Sequence, residues 1–282
     1  MMNFMSTLLA VAERVIPNSI LYRLRAHRSK ARGHNPELAL LPILNDGGIF
    51  LDIGANIGDF SRVACLIFRQ VEAFEPIPEL ASKLKAELPK NVTVHVLALS
   101  EAHGSSTLYV PVQDGRKITG LASLDPIANR SPEMTEIAVE MRTLDSFGFS
   151  GIDVIKIDVE GFEEFVLKGA SETLRTNRPA LIVEIEDRHH PGKTVPVFEI
   201  LWDLGFDAFY YMDGVLYPVA RPDGEPKLQE MNRSHTGEYV YNFVFLHPKR
   251  RHARLASLIH TTANLSTVQT GREDDRNTIR AG

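Results

Sequence analysis

The chain has 282 residues, 44% of them hydrophobic and 24% charged, and carries a formal net charge of −5. That balance is ordinary for a globular protein in water, allows one large α/β domain with appendages, and gives no reason to expect nucleic acid as a partner. The single cysteine, Cys65, lies inside an apolar helical pattern, which excludes a disulfide framework and a thiolate metal site and makes a reducing cytoplasm the expected location.

In residues 1–36 an apolar stripe of Phe4, Leu8, Val11 and Val15 precedes Arg23, Arg25, Arg28, Lys30 and Arg32. A signal peptide has the reverse order, and no apolar run approaches the roughly 18 residues of a membrane span. The stretch predicts a helical extension packed on the main domain; a helix making peripheral membrane contact or docking a partner is the alternative.

Over residues 37–248 short apolar runs alternate with amphipathic segments, the signature of a doubly wound, Rossmann-like α/β fold. Residues 38–44 predict a short helix, 49–52 the first strand and 60–68 a helix. Residues 70–74 predict the second strand, closed by Glu75-Pro76, and a helix opens at Pro78 and ends before Pro89. Residues 92–97 predict a third strand and 107–111 a small hairpin strand. Residues 112–135, broken by Gly115, Gly120, Pro126 and Pro132, predict a flexible lid over the substrate. A strand over 137–141, a helical turn over 143–147, a fourth strand over 152–157, a helix over 163–174 and a fifth strand over 180–185 follow. A helix over 197–204 and strands over 207–211 and 239–246 complete a seven-stranded, mostly parallel sheet, the last strand free to insert antiparallel after an Asp213-Gly214 turn. Residues 249–282 turn basic and then polar and predict a disordered tail.

Ligands of such a sheet bind at the carboxyl ends of its strands. The first strand ends in Asp52, Gly54, Ala55, Asn56 and Gly58, with two glycines four apart. Gly54 would let backbone approach a ligand, and Gly58 would let the helix sit close on the sheet. A dinucleotide fingerprint needs glycine where Asn56 stands, so a ligand with an adenosine and no pyrophosphate fits better, S-adenosyl-L-methionine being the common one. Glu75 follows Asp52 by 23 positions, near the offset at which a carboxylate takes both hydroxyls of a ribose. Asp52 is then expected to face the cationic end of the cofactor, with Pro76 a further cofactor contact and Ala98, Leu99 and Ser100 beside the adenine.

A second group lies at the far strand ends. Lys156 interrupts a strand expected to be buried on both faces and needs an acidic partner, and Asp158 shares its face. Glu160 precedes Gly161 at the turn, whereas Glu163 and Glu164 read as acids that stabilise a helix start. Glu184 ends the fifth strand, and His189 follows in a loop. Asp158, Glu160 and Glu184 are candidates to hold a hard divalent cation such as Mg²⁺. Asp158, Glu160, Glu184 and His189 are candidates to take a proton from the substrate, with Lys156 as a further catalytic candidate.

The motifs LDIGANIGDFS, AFEPIP, RTLDSF, IDVIKIDVEGFEEFVLKGA, RPALIVEIE and YNFVFLHP stand in that order between residues 37 and 248. Together they resemble the FkbM-type S-adenosylmethionine-dependent methyltransferases, class I enzymes that methylate oxygen on sugars, polyketides and related products. The resemblance implies an O-methyltransferase of the EC 2.1.1 class that acts on a hydroxyl of a sugar, glycan, glycolipid or related metabolite. It does not cover the first residues, the lid or the tail, and it leaves the acceptor, the metal and the oligomeric state open. A nucleotide-cofactor oxidoreductase on the same sheet and a non-catalytic binding module are the rival readings.

Overall fold

The computed structural model describes residues 35–129, 131–186, 195–221, 234, 236–250 and 253–260. The expected amino-terminal helix, His189 and residues 261–282 of the expected disordered tail lie outside them, whereas the start of that tail is ordered: Leu255 is fully buried and the His260 amide donates to the Leu216 carbonyl at 2.8 Å. Among the described residues no helix is long and apolar enough to cross a membrane.

The main sheet is built from β1 (Ile49–Ile53), β2 (Gln70–Phe74), β3 (Val92–His95), β8 (Ile152–Ile157), β9 (Ala180–Glu184), β10 (Asp207–Met212), β11 (Val215–Val219) and β12 (Asn242–Leu246). Their spatial order is β11-β10-β12-β9-β8-β1-β2-β3. The expected seven strands are therefore corrected to eight. The added strand, β11, pairs antiparallel with β10 across a turn in which Asp213 (φ 50°) and Gly214 (φ 84°) are both left-handed, the geometry that suits a two-residue hairpin. β12 pairs antiparallel with both β9 and β10, as its position after that hairpin allowed.

Strands β1, β2, β3, β8 and β9 are parallel, and the chain leaves β1 toward β2 and β3 on one side and returns to β8 and β9 on the other. The switch point thus lies between the carboxyl ends of β1 and β8, where a ligand crevice opens in sheets of this kind. Alternate residues of β1 enter two different cores. Leu51 and Ile53 pack with Ile155, Ile157 and Phe198, whereas Phe50 packs with Val154, Ile182 and Phe60. A strand covered on both faces reads as an unbroken apolar run, which is why β1 and β8 were visible in the sequence.

Helices cover the sheet: α1 (Leu41–Leu44), α2 (Asp59–Ala64), α3 (Pro78–Glu87), α4 (Glu163–Lys168), α5 (Ser171–Asn177), α6 (Val195–Asp203) and α7 (Ala253–Ala256). The single helix expected over 163–174 is instead two. Gly169, at the break, passes so near Ser100 that a Cβ there would stand 2.0 Å from its carbonyl oxygen.

The interval after β3 departs most from expectation. β4 (Ala98–Leu99), β5 (Gly104–Gln113), β6 (Arg116–Lys117) and β7 (Glu133–Arg142) form a second sheet in the order β4-β7-β5-β6. Only its centre is apolar: Leu108, Val110 and Val139 pack with Ile77, Ala98 and Leu124. The stretch expected to be a loop over 112–135 is therefore anchored at both ends in strands, leaving residues 118–129 as the segment above the crevice.

Candidate active site

A cleft opens at the switch point. Gly54, Asn56, Glu75, Pro76, Ala98 and Leu99, six of the expected cofactor contacts, line it together with Asp158 and Glu160. Asp52, Ala55, Gly58 and Ser100 are not among its lining residues. The strand alternation that puts Leu51 and Ile53 on one face turns Asp52 to the other, where one carboxylate oxygen accepts hydrogen bonds from the Ser61 amide (2.9 Å) and hydroxyl (2.5 Å) of α2. Burial pushes Asp52 up to about 6, against the pull of Ser61 and Lys156. The acid facing the cleft at the switch point is Asp158.

Both glycines also answer to close neighbours within the fold. A Cβ on Gly54 (φ +80°) would stand 1.9 Å from the carbonyl oxygen of Asp158, so the neighbouring strand end by itself requires glycine there. A Cβ on Gly58 would meet Leu84 of α3 at 2.5 Å, so that glycine admits a helix side chain. Asn56 also adopts a left-handed conformation (φ 47°), which asparagine tolerates better than most residues.

Glu75 is 3% exposed and accepts the amides of Asn56 (2.7 Å) and Ile77 (2.8 Å), one on each carboxylate oxygen. These two bonds fix the carboxyl at the cleft wall, and burial pushes it up to about 7. Each oxygen keeps a second lone pair for a hydroxyl donor. Phe74, Ile77, Leu97, Leu108, Leu124 and Phe162 add an apolar wall. A vicinal diol at Glu75 and a flat aromatic base between apolar walls suit these surroundings, so the residues fit an adenosine. The free space is about 80 Å³, less than the roughly 300 Å³ of a small-molecule site.

Thr119, Gly120, Ala122 and Leu124 close the cleft from above. They are held by hydrogen bonds from the Thr119 hydroxyl to Asn56 Oδ1 (3.3 Å), from the Ser123 hydroxyl to the Glu160 carbonyl (2.7 Å) and from Asn129 Nδ2 to Glu160 Oε2 (3.3 Å).

Asp158, Glu160 and Glu184 come together as expected: each offers a carboxylate oxygen, all within 4.8 Å of one another. Lys156 stands behind them, 2% exposed, with its ammonium 3.0 Å from Asp158 Oδ2 and 5.3 Å from the centre of the Phe60 ring. It does not line the cleft. Burial pulls its ammonium down, but Asp158, Glu184 and Asp52 outweigh that and hold it above the ordinary lysine value. Burial, Asp158 and Glu160 push the Glu184 carboxyl well up, while Lys156 opposes them. One ammonium thus faces a surplus of acids, and a shared proton or a hard cation would relieve their repulsion. The donor set fits a divalent ion in oxygen chemistry.

Sequence reasoning assigned Glu163 to the helix dipole, yet its carboxyl turns back to accept the amides of Val159 (3.3 Å) and Gly161 (3.1 Å). Burial pushes it up to about 7. It fixes the turn that carries Glu160, itself at φ 55°. Its place two residues after Gly161 was the available signal. Glu164, in the same first turn, pairs with Lys168 at 2.7 Å along α4. The apolar wall from Phe162 and from the second sheet had no sequence signal, because it depends on how the two sheets meet.

Residues 52–208 match the family model described as the methyltransferase FkbM domain. Methyltransferase 1 of Beauveria bassiana is 28% identical over 211 residues, covering 64% of this chain and 77% of that protein. The AMB antimetabolite synthetase AmbE of Pseudomonas aeruginosa is 26% identical over 216 residues, 62% of this chain but only 10% of that protein. A solved structure, methyltransferase FkbM from Methylobacillus flagellatus, superposes with a TM-score of 0.44 at 16% identity, covering 71% of this chain and 44% of that one.

Proposed function

Because the chain belongs to the FkbM methyltransferase family, we propose that it is an S-adenosylmethionine-dependent O-methyltransferase acting on a hydroxyl of a sugar, glycan, glycolipid or related metabolite. One observation supports this reading most: a single cleft is lined by Glu75, Gly54, Asp158 and Glu160, which suits a ribose diol at one end and a proton acceptor at the other. The chemistry supplied by bound S-adenosylmethionine is a methyl carbon on a sulfonium, open to attack by oxygen.

In this reading Glu75, Asn56, Pro76, Ala98 and Leu99 bind the nucleoside and orient it. Asp158 faces the cationic end, in the role expected of Asp52. A neutral hydroxyl attacks poorly, and proximity together with removal of its proton supplies much of the rate. Asp158, at the cleft and backed by Lys156, takes that proton. Glu160 and Glu184 align the hydroxyl, and Lys156 holds the Asp158 carboxylate in place. Residues 118–129 act as the lid, which must lift to enlarge the cleft for a nucleoside and then closes through Ser123 and Asn129 onto Glu160.

Calorimetry with S-adenosylhomocysteine, the demethylated product, tests the donor half: the wild type is expected to bind with a micromolar constant, and failure to bind sinks the reading. For the acceptor half, transfer of labelled methyl into glycan, lipid and small-metabolite fractions is expected to label the glycan or glycolipid fraction. Asp158→Asn should lower that transfer at least about 100-fold while S-adenosylhomocysteine still binds within a few-fold.

A further inference from the structure

A second, wider cleft of about 520 Å³ lies farther along the carboxyl edge of the sheet, lined by Glu37, Tyr211, Met212, Glu238, Tyr239, Tyr241 and Asn242 among others. The two clefts are linked through the sheet. Asn242 is the register partner of Glu184, and the amide of Ile185 donates to the carbonyl of Tyr241 at 2.7 Å. The Tyr241 phenol is held above its ordinary value by burial and then by Glu37, Glu184, Glu186 and Asp158, so it senses acids of both clefts.

The lining has the chemistry of carbohydrate recognition. Tyr239 is 52% exposed, and Tyr211 and Tyr241 are partly exposed, giving flat amphipathic faces for the C–H side of a sugar ring. Glu37 and Glu238 supply carboxyl oxygens, each able to take hydroxyl donors. Glu37 accepts Asn242 Nδ2 at 3.3 Å, and the Asn242 Oδ1 is buried with no hydrogen-bond partner among the described residues.

Strands in a sheet stand about 4.8 Å apart, so the end of β8 with Asp158 is roughly 10 Å from the start of β12 and roughly 14 Å from the end of β10. That is too far for the ring that presents its hydroxyl to Asp158, and it suits the next ring along a chain. We infer that the Tyr211–Tyr239–Tyr241 cleft binds the neighbouring sugar of an oligosaccharide acceptor, and that the enzyme prefers a linked glycan to a free monosaccharide. This rests on the methyltransferase reading above.

Saturation-transfer NMR on the S-adenosylhomocysteine-loaded protein tests it, with methyl glycosides of common hexoses and deoxyhexoses and the matching disaccharides as probes. At least one disaccharide is expected to bind about tenfold tighter than its monosaccharide glycoside, with both rings saturated, and Tyr239→Ala, at a half-exposed position, is expected to remove that advantage. The inference is overturned if no disaccharide outbinds its monosaccharide, or if Tyr239→Ala and Tyr211→Ala bind disaccharides like the wild type. Calorimetry on the same samples separates the two readings: if S-adenosylhomocysteine does not bind, the methyltransferase reading falls and takes this one with it, whereas retained binding confines the failure to the second cleft.

Discussion

Replacing Lys156 by methionine tests the electrostatic account of the site. The side chain is 2% exposed, and its ammonium lies 3.0 Å from Asp158. At an effective dielectric constant of about 20 a contact of that length carries a gross attraction of roughly 5 kcal/mol, before the cost of taking the charges out of water. Methionine keeps most of the volume under Phe60 but leaves Asp158, Glu184 and Asp52 without their cation. Removing one partner of a buried pair costs about 3–5 kcal/mol, and that is the loss of unfolding free energy expected at pH 8. The sign with pH follows from the acids. Lys156 pulls Asp52 and Glu184 down, so without it their folded values rise further above the unfolded ones. Stability from an acid raised on folding is present at low pH and is lost as pH rises through the folded value. The deficit of Lys156→Met should therefore shrink between pH 8 and pH 5.5, and Lys156→Met combined with Asp158→Asn should recover much of it. Urea denaturation at both pH values, with S-adenosylhomocysteine calorimetry as a control on the cleft, measures this. A deficit below about 1 kcal/mol at pH 8, or one that grows on acidification, would refute the reasoning.

Other outcomes follow from the same geometry. Glu75, pushed up to about 7, accepts two ribose hydroxyls best when ionised. Affinity for S-adenosylhomocysteine should thus fall roughly tenfold from pH 8 to pH 6, and Glu75→Gln should flatten the profile; an unchanged slope in that variant would detach Glu75 from the ribose. Gly54→Ala places a Cβ against the Asp158 carbonyl at a left-handed φ, so thermal melts should show a loss of at least about 2 kcal/mol. A variant as stable as the wild type would mean that this strand end yields easily. Lys156 already offsets part of the acid cluster, so methyl transfer is expected to persist after exhaustive chelation; abolition by chelator and recovery with Mg²⁺ would instead assign Asp158, Glu160 and Glu184 to a cation.

The parallel core was legible because strands buried on both faces are apolar throughout, and the acids that end β8 and β9 stand out against them. β11 was not legible, since it carries Pro218 at the sheet's edge and only Leu216 is fully buried. β5 and β7 came out too short in the sequence because their outer residues are exposed and polar. Alternation places Asp52 and Gly54 on one face but does not say which face meets a ligand; that depends on α2 bringing Ser61 to the carboxyl. Nor does spacing reveal that Asp52 and Lys156 are register partners, since that requires knowing that β1 lies beside β8. The Glu37–Asn242 contact joins residues 205 positions apart and has no local signal at all.

The switch point between β1 and β8 divides the sheet into two flanks with different histories available to them. Substitutions on β10, β11 and β12 alter one flank while the strands that shape the cleft beside Glu75 stay as they are. On the proposed function, drift, recombination or design can therefore re-aim such a protein at new acceptors without rebuilding its donor half. The seam itself has no such latitude, because Gly54 on one side touches the Asp158 backbone on the other. Variation among relatives should accordingly be widest at the tyrosine-lined edge and narrowest at those two strand ends.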